Sequence, residues 1–133
     1  MFLPVPLYLL LTHWIGDFLL QSDWMALNKS KNTWEGSRAL FFHVLTYSSC
    51  FIWLGLEFTL LTFVMHWPVD FVTSRITRRL FPFVPAWPDD PPFIDWYNKD
   101  GEDGRSNHWF FVVIGLDQLI HYLCLSFTLY LTQ

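Results

Sequence analysis

Charge is what this sequence has least of. Only 15% of its 133 residues are Asp, Glu, Lys or Arg, against about 25% in an ordinary soluble domain. Cysteine is sparse too. Cys50 and Cys124 both sit inside apolar runs, which excludes a disulfide framework and leaves them as small packing residues. There is no glycine-rich phosphate loop and no Gly-x-Ser-x-Gly elbow, so neither a nucleotide site nor a serine nucleophile is signalled. A net charge of −4 offers no basic surface for nucleic acid. What the chain does have is apolar bulk: 53% of residues are hydrophobic and 20% aromatic. That content excludes intrinsic disorder, and the length suits one domain.

Four stretches approach the roughly 20 apolar residues that a membrane-crossing helix needs. The expectation is an all-α, polytopic four-helix transmembrane bundle forming one domain over 1–133, with helices at about 3–22, 38–56, 58–78 and 107–131. The first stretch lacks a positive leading region and a small-residue cleavage site, so it reads as a retained helix rather than a secretory signal. Pro68 is expected to kink the third.

The basic residues fall in two places. Lys29, Lys31 and Arg38 lie between the first and second stretches; Arg75, Arg78, Arg79, Lys99 and Arg105 lie between the third and fourth. By the positive-inside rule both connections are cytoplasmic and both termini lie outside. The long connection, about 79–106, is rich in proline, aromatic and acidic residues. It reads either as an interfacial lid or as a tether with interfacial anchors. His108, beside Trp109, reads as interfacial; Asp23 and Glu57, at segment ends, read as solvated.

Ionisable groups inside the apolar stretches carry more information. An Asp at a helix centre costs roughly 2.5–3.5 kcal/mol on insertion scales, and such groups usually face a bundle interior and mark a function. His13, Asp17 and Gln21 recur at steps of four, a spacing that places them on one helix face. His66 and Asp70 repeat that step, as do Asp117 and His121, with Gln118 alongside; the second stretch carries His43 and, a turn later, Tyr47. In the expected topology each Asp lies nearer the cytoplasm than its His. The groups then share a band roughly 7–20 Å below the cytoplasmic surface, at about 1.5 Å per residue. An internal echo, His13-Trp14-x-x-Asp17-Phe18 against His66-Trp67-x-x-Asp70-Phe71, is consistent with a duplicated helical hairpin.

Imidazole and carboxylate together suit zinc, manganese or iron, and helical bundles build such sites from facing helices at turn spacing. The candidate metal ligands are His13, Asp17, His43, His66, Asp70, Asp117 and His121. Asp17, Asp70 and Asp117 are the candidate catalytic carboxylates, and Gln21 and Gln118 would contact ligands or substrate. Two plainer readings stand beside this one. Each His–Asp pair could hydrogen-bond along its own helix, or the pairs could bond between helices and merely hold the bundle together.

The order His13-x-x-x-Asp17-Phe18-x-x-Gln21, then His43, then His66-x-x-x-Asp70, then Asp117-Gln118-x-x-His121 resembles an uncharacterised, domain-of-unknown-function family of small bacterial and phage inner-membrane proteins. Two departures from that pattern are Tyr47, where the family tends to carry a second His, and Thr73 and Ser74, where it tends to carry a Lys. The resemblance implies a bacterial inner (cell) membrane location and supplies no reaction. The functional expectation is a metal-dependent hydrolase acting from the cytoplasmic side on a lipid-linked or amphipathic substrate. The alternatives are a proton- or metal-ion-coupled carrier, which four helices would favour only as a homo-oligomer, and a non-catalytic membrane scaffold or phage accessory protein.

Overall fold

The computed structural model describes residues 5–80 and 107–133, with side chains for 5–80 and 111–133. The expected lid or tether lies, from residue 81 onward, outside the described residues, and so does the His108 side chain.

Among the described residues the fold is all-α. Helix α1 (Leu7–Trp14) runs into a π-helical turn, Ile15–Leu19; α2 is Asp23–Asn28; α3 is Trp34–Ser49; a 3-10 turn, Ile52–Leu54, leads into α4 (Leu56–Leu80); and α5 is Asn107–Leu131. Local sequence explains the boundaries. Ser22 caps α2 by accepting from the Met25 N–H at 3.3 Å, and Thr33 caps α3 by accepting from the Gly36 N–H at 3.1 Å. Such caps satisfy amide donors that the first turn leaves without partners. Gly55, at φ 103°, turns the chain between the 3-10 turn and α4, a backbone region that side-chain-bearing residues avoid. Helix α4 continues through Pro68 as far as Leu80, two residues past the expected end at about 78. Helix α2 was not expected, because six residues are too few to show an apolar period.

The expected set of four spans is not reproduced at the level of single helices. Among the described residues one segment, Phe111–Leu131, is long and apolar enough to cross a membrane, and Leu7–Leu19 is a shorter apolar helix. The physical reason is dilution. Helix α3 has only 16 residues and carries Glu35 and Arg38 near its start, while α4 interrupts its apolar run with His66, Pro68 and Asp70 and carries Arg75, Arg78 and Arg79 near its end.

Helix α4 packs against α3 and α5, α2 packs on α3, and the π turn packs on α3. The apolar core gathers at one end of the bundle, from Val5, Leu9, Tyr47, Phe51, Phe58 and Leu125. Polar side chains fill the middle. The π turn approaches α3 closely at Gly16, where an added Cβ would lie 3.1 Å from Tyr47 Cδ2 and 3.3 Å from Cys50 Sγ. π turns recur at functional sites, and this one carries Asp17.

Candidate metal centre

Asp17 on the π turn, His43 on α3, and His66 and Asp70 on α4 are all buried. They converge on one atom. His43 Nε2 lies 2.9 Å from Asp70 Oδ2, 3.2 Å from Asp17 Oδ1, 3.3 Å from His66 Nε2 and 3.3 Å from Lys29 Nζ. An imidazole nitrogen carries one proton or one lone pair, so hydrogen bonding satisfies one of these neighbours at a time. His66 Nε2 in turn lies 3.6 Å from Asp17 Oδ1 and 3.7 Å from Asp70 Oδ2. One atom from each of Asp17, His43, His66 and Asp70 falls within 4.8 Å of the others. Ligands at about 2.0–2.2 Å around a tetrahedral ion stand roughly 3.3–3.6 Å apart, close to these separations.

A second group, Asp17, Asp117 and His121, adjoins the first. His121 Nε2 lies 3.4 Å from Asp70 Oδ1, and His121 Nδ1 lies 3.6 Å from Asp117 Oδ2. Asp70 thus turns one oxygen toward His43 and the other toward His121, as a bridging carboxylate does. Asp17 Oδ1, Asp117 Oδ1 and both His121 ring nitrogens are buried and have no hydrogen-bond partner. Buried lone pairs are rarely left so, and a divalent cation would satisfy several at once. The donor set therefore fits a metal ion.

His13 sits apart from both groups, with each ring nitrogen engaged. Its Nε2 lies 2.8 Å from Gln118 Oε1 and its Nδ1 2.8 Å from the Tyr47 hydroxyl. The amide oxygen of Gln118 only accepts, so His13 Nε2–H donates to it and Tyr47 O–H donates to Nδ1. Gln118 Nε2 then donates to Asp17 Oδ2 at 2.9 Å and to Asp117 Oδ2 at 3.1 Å. This chain orients the two carboxylates and makes His13 a positioning residue. Tyr47 also stacks on His66, with ring centroids 3.8 Å apart, so it serves both His13 and the cluster.

Lys29 is the participant that sequence reasoning missed. Its Nζ donates to Asp70 Oδ2 at 2.8 Å. Burial works to lower its pKa, but the Asp70 and Asp17 carboxylates outweigh burial and hold it above the ordinary lysine value, so it stays charged. Arg75 fixes the segment that carries Lys29. The Arg75 guanidinium donates to Asn32 Oδ1 at 2.7 Å, to the Lys31 carbonyl at 3.3 Å and to the Lys29 carbonyl at 3.4 Å, and lies 3.7 Å from the centre of the Phe71 ring. The signal available beforehand was charge balance: three acids in apolar stretches require cations from somewhere.

The structure also decides how the polar pairs are arranged. Contacts between helices, at 2.9 and 3.2 Å, are shorter than the i,i+4 contacts within α4 and α5, at 3.7 and 3.6 Å. The groups do not satisfy themselves along their own helices. The internal echo holds for its aspartates, which both reach His43, but not for its histidines, since His66 joins the cluster and His13 does not. Gln21 lines a cavity of about 320 Å³ beside the cluster, together with Asp17, Lys29, Asp70, Asp117 and Gln118.

No curated protein and no solved structure matches this chain. One family model does match, over residues 5–133, and that span covers every residue of the cluster. The chain belongs to the family described as protein of unknown function (DUF3307).

Proposed function

We propose that this chain is a membrane-embedded, metal-dependent hydrolase acting on a lipid-linked or amphipathic substrate from the cytoplasmic side of a bacterial inner membrane. The observation that carries the reading is the crowding of two carboxylates and a second imidazole around His43 Nε2. A two-His, two-carboxylate set suits zinc, manganese or iron. Such an ion would polarise the scissile group and activate water near neutral pH. Asp117, joined to Gln118 and less buried than Asp17 or Asp70, is placed to take a proton. Asp17 and Asp70 bind, and Gln118 and His13 hold Asp17 in orientation.

The membrane part of the reading, with its four crossings, rests on an inverted pattern of burial. Among the described residues more polar than apolar side chains are buried, whereas Leu11, Trp14, Leu60, Val64, Leu116 and Leu119 are each more than half exposed. Exposed apolar side chains are common singly, but soluble proteins rarely pair many of them with a buried layer of charged groups. Lipid would cover these faces, and the polar interior then becomes intelligible.

The chain from Tyr47 through His13 and Gln118 to Asp17 favours a second reading, a proton- or metal-ion-coupled carrier in which the same groups relay the ion. Metal analysis of the detergent-purified full chain tests the first reading. Stoichiometric zinc, manganese or iron in wild type, lost in Asp17→Asn and His43→Ala, is expected. A folded protein that takes up none of these ions overturns it. Bound metal without any hydrolysis of phosphate, acyl or peptide-linked amphiphiles turns the assignment to the carrier.

A further inference from the structure

The cavity beside the cluster has features that metal binding alone does not use. Its lining combines Asp17, Asp70 and Asp117 with Lys29 and Arg78, and adds apolar walls from Phe18, Leu27 and Ile114. At about 320 Å³ it is the size of a small ligand pocket. It lies at the end of the bundle where the π turn, the Lys29 segment and the last turns of α4 meet, opposite the apolar core.

Besides the Asp17 and Asp117 oxygens already described, two polar side chains in its lining have atoms with nothing to bond. Ser74 Oγ and Gln21 Oε1 are buried and have no hydrogen-bond partner. Thr73 and Thr77, by contrast, spend their hydroxyls on the carbonyls of Val69 and Thr73 at 2.9 Å each. Among the described residues Arg78 donates to Ser30 Oγ, at 3.3 Å, from a guanidinium that carries five N–H donors. The cavity therefore offers an ammonium, a guanidinium, a free hydroxyl and an amide next to an apolar wall.

Charge decides what enters. Three carboxylates and two cations give the lining a net charge of −1, which repels anions. One divalent ion on the Asp/His cluster reverses the sign, and a second would make the lining strongly positive. An oxyanion in the cavity would then share its lining with both the metal-binding carboxylates and Arg78. Guanidinium pairs with phosphate oxygens through parallel N–H groups, and a phosphate between metal and arginine is the arrangement that stabilises phosphoryl transfer.

We infer that this cavity binds the phosphate group of an amphiphile, with Arg78, Lys29 and Ser74 holding the phosphate and Phe18, Leu27 and Ile114 receiving the first part of the apolar body. The inference rests on the metal-hydrolase reading and names its substrate class as a phosphate-bearing one. The same head-group chemistry is available from a lipid phosphate and from free phosphate, and the apolar walls favour the lipid.

Binding to the full chain in neutral detergent, with and without Mn²⁺, tests it. The probes are dihexanoyl phosphatidic acid, dihexanoylglycerol and inorganic phosphate, and bound manganese is measured in the same samples. The Mn²⁺-loaded protein is expected to bind the phosphatidic acid at least tenfold more tightly than dihexanoylglycerol. Arg78→Met, at an exposed position outside the metal groups, is expected to lose at least tenfold. Inorganic phosphate binding as tightly as the phosphatidic acid assigns the site to a soluble phosphate. Equal binding of dihexanoylglycerol, or no effect of Arg78→Met, overturns the inference. Bound manganese with no bound phosphatidic acid overturns the cavity assignment alone. Arg78-dependent binding of phosphatidic acid by protein that takes up no zinc, manganese or iron overturns the hydrolase reading and keeps the cavity assignment; loss of both overturns both.

Discussion

Asp70 is the residue whose loss discriminates most sharply. It touches Lys29 at 2.8 Å, His43 at 2.9 Å and His121 at 3.4 Å, using both carboxylate oxygens. A ligand that binds only the folded state stabilises it by about 2.7 kcal/mol at 100 times its dissociation constant. For a chain of this length each kcal/mol moves the melting temperature by roughly 3–5 °C, so wild type should gain about 10 °C. Asp70→Asn keeps the shape and removes the charge. A 100-fold loss of metal affinity would leave the same metal concentration only at the dissociation constant. The stabilisation then falls to about 0.4 kcal/mol, or roughly 1–2 °C. The assay is thermal unfolding of the detergent-purified protein across a series of zinc, manganese and iron concentrations, with a chelator as reference. The variant also starts lower, because truncating one partner of a buried ion pair costs about 3–5 kcal/mol. It is the metal-dependent increment, not the starting temperature, that tests the site. A wild-type melting temperature that ignores metal concentration refutes the reasoning. So does an equal increment in Asp70→Asn.

Three further outcomes follow from the packing. Gly16→Val should destabilise by about 1–3 kcal/mol through overpacking, because its Cβ would meet Tyr47 and Cys50; an unchanged melting temperature would show that the π turn does not approach α3 so closely. Arg75→Ala should cost about 1 kcal/mol and make backbone amides of 29–32 exchange faster with solvent, whereas unchanged exchange there would remove Arg75 from its clamping role. In a background with Cys50 and Cys124 replaced by Ser, a cysteine at Glu57 should label from outside intact cells and one at Trp34 should not. The opposite pattern would reverse the proposed topology.

Much of this site was legible because helix geometry is periodic. Steps of four put His66 with Asp70 and Asp117 with His121, and the depth argument brought residues of different helices to one level. The all-α class followed from the same patterns. Three features were not legible. The π turn at Ile15–Leu19 has no sequence signature of its own, yet it sets where Asp17 points. The roles of His13 and His66 diverge although their local motifs match, because partners from other helices decide them: Gln118 and Tyr47 for one, His43 for the other. Lys29 lies outside the apolar stretches, where its charge reads as a topology signal. Only the fold returns it to Asp70.

Lys29 also sharpens what the cluster must do. Asp17 and Asp70 are both buried, and an uncompensated buried charge costs several kcal/mol. One ammonium compensates one carboxylate. The other needs a proton, a protonated histidine or a metal ion, so the hydrolase and carrier readings share one requirement: a second positive charge inside the cluster. In the hydrolase reading Lys29 competes with that charge, since its Nζ contacts Asp70 Oδ2 and His43 Nε2, two of the proposed ligand atoms. Unit charges 4 Å apart interact by about 4 kcal/mol at an effective dielectric of 20. Recovering a third of that on removing the lysine corresponds to about tenfold in affinity. Lys29→Met is therefore expected to bind metal at least tenfold more tightly while binding a phosphate-bearing amphiphile more weakly, two effects of opposite sign from one substitution. Equilibrium metal titration against a chelator buffer reads the first. The stability lost on breaking the Lys29–Asp70 pair, about 3–5 kcal/mol, is common to both readings; if Lys29→Met gains no metal affinity, Lys29 is the permanent counter-ion of Asp70 and the second charge is a proton, which is the chemistry of a proton-coupled carrier.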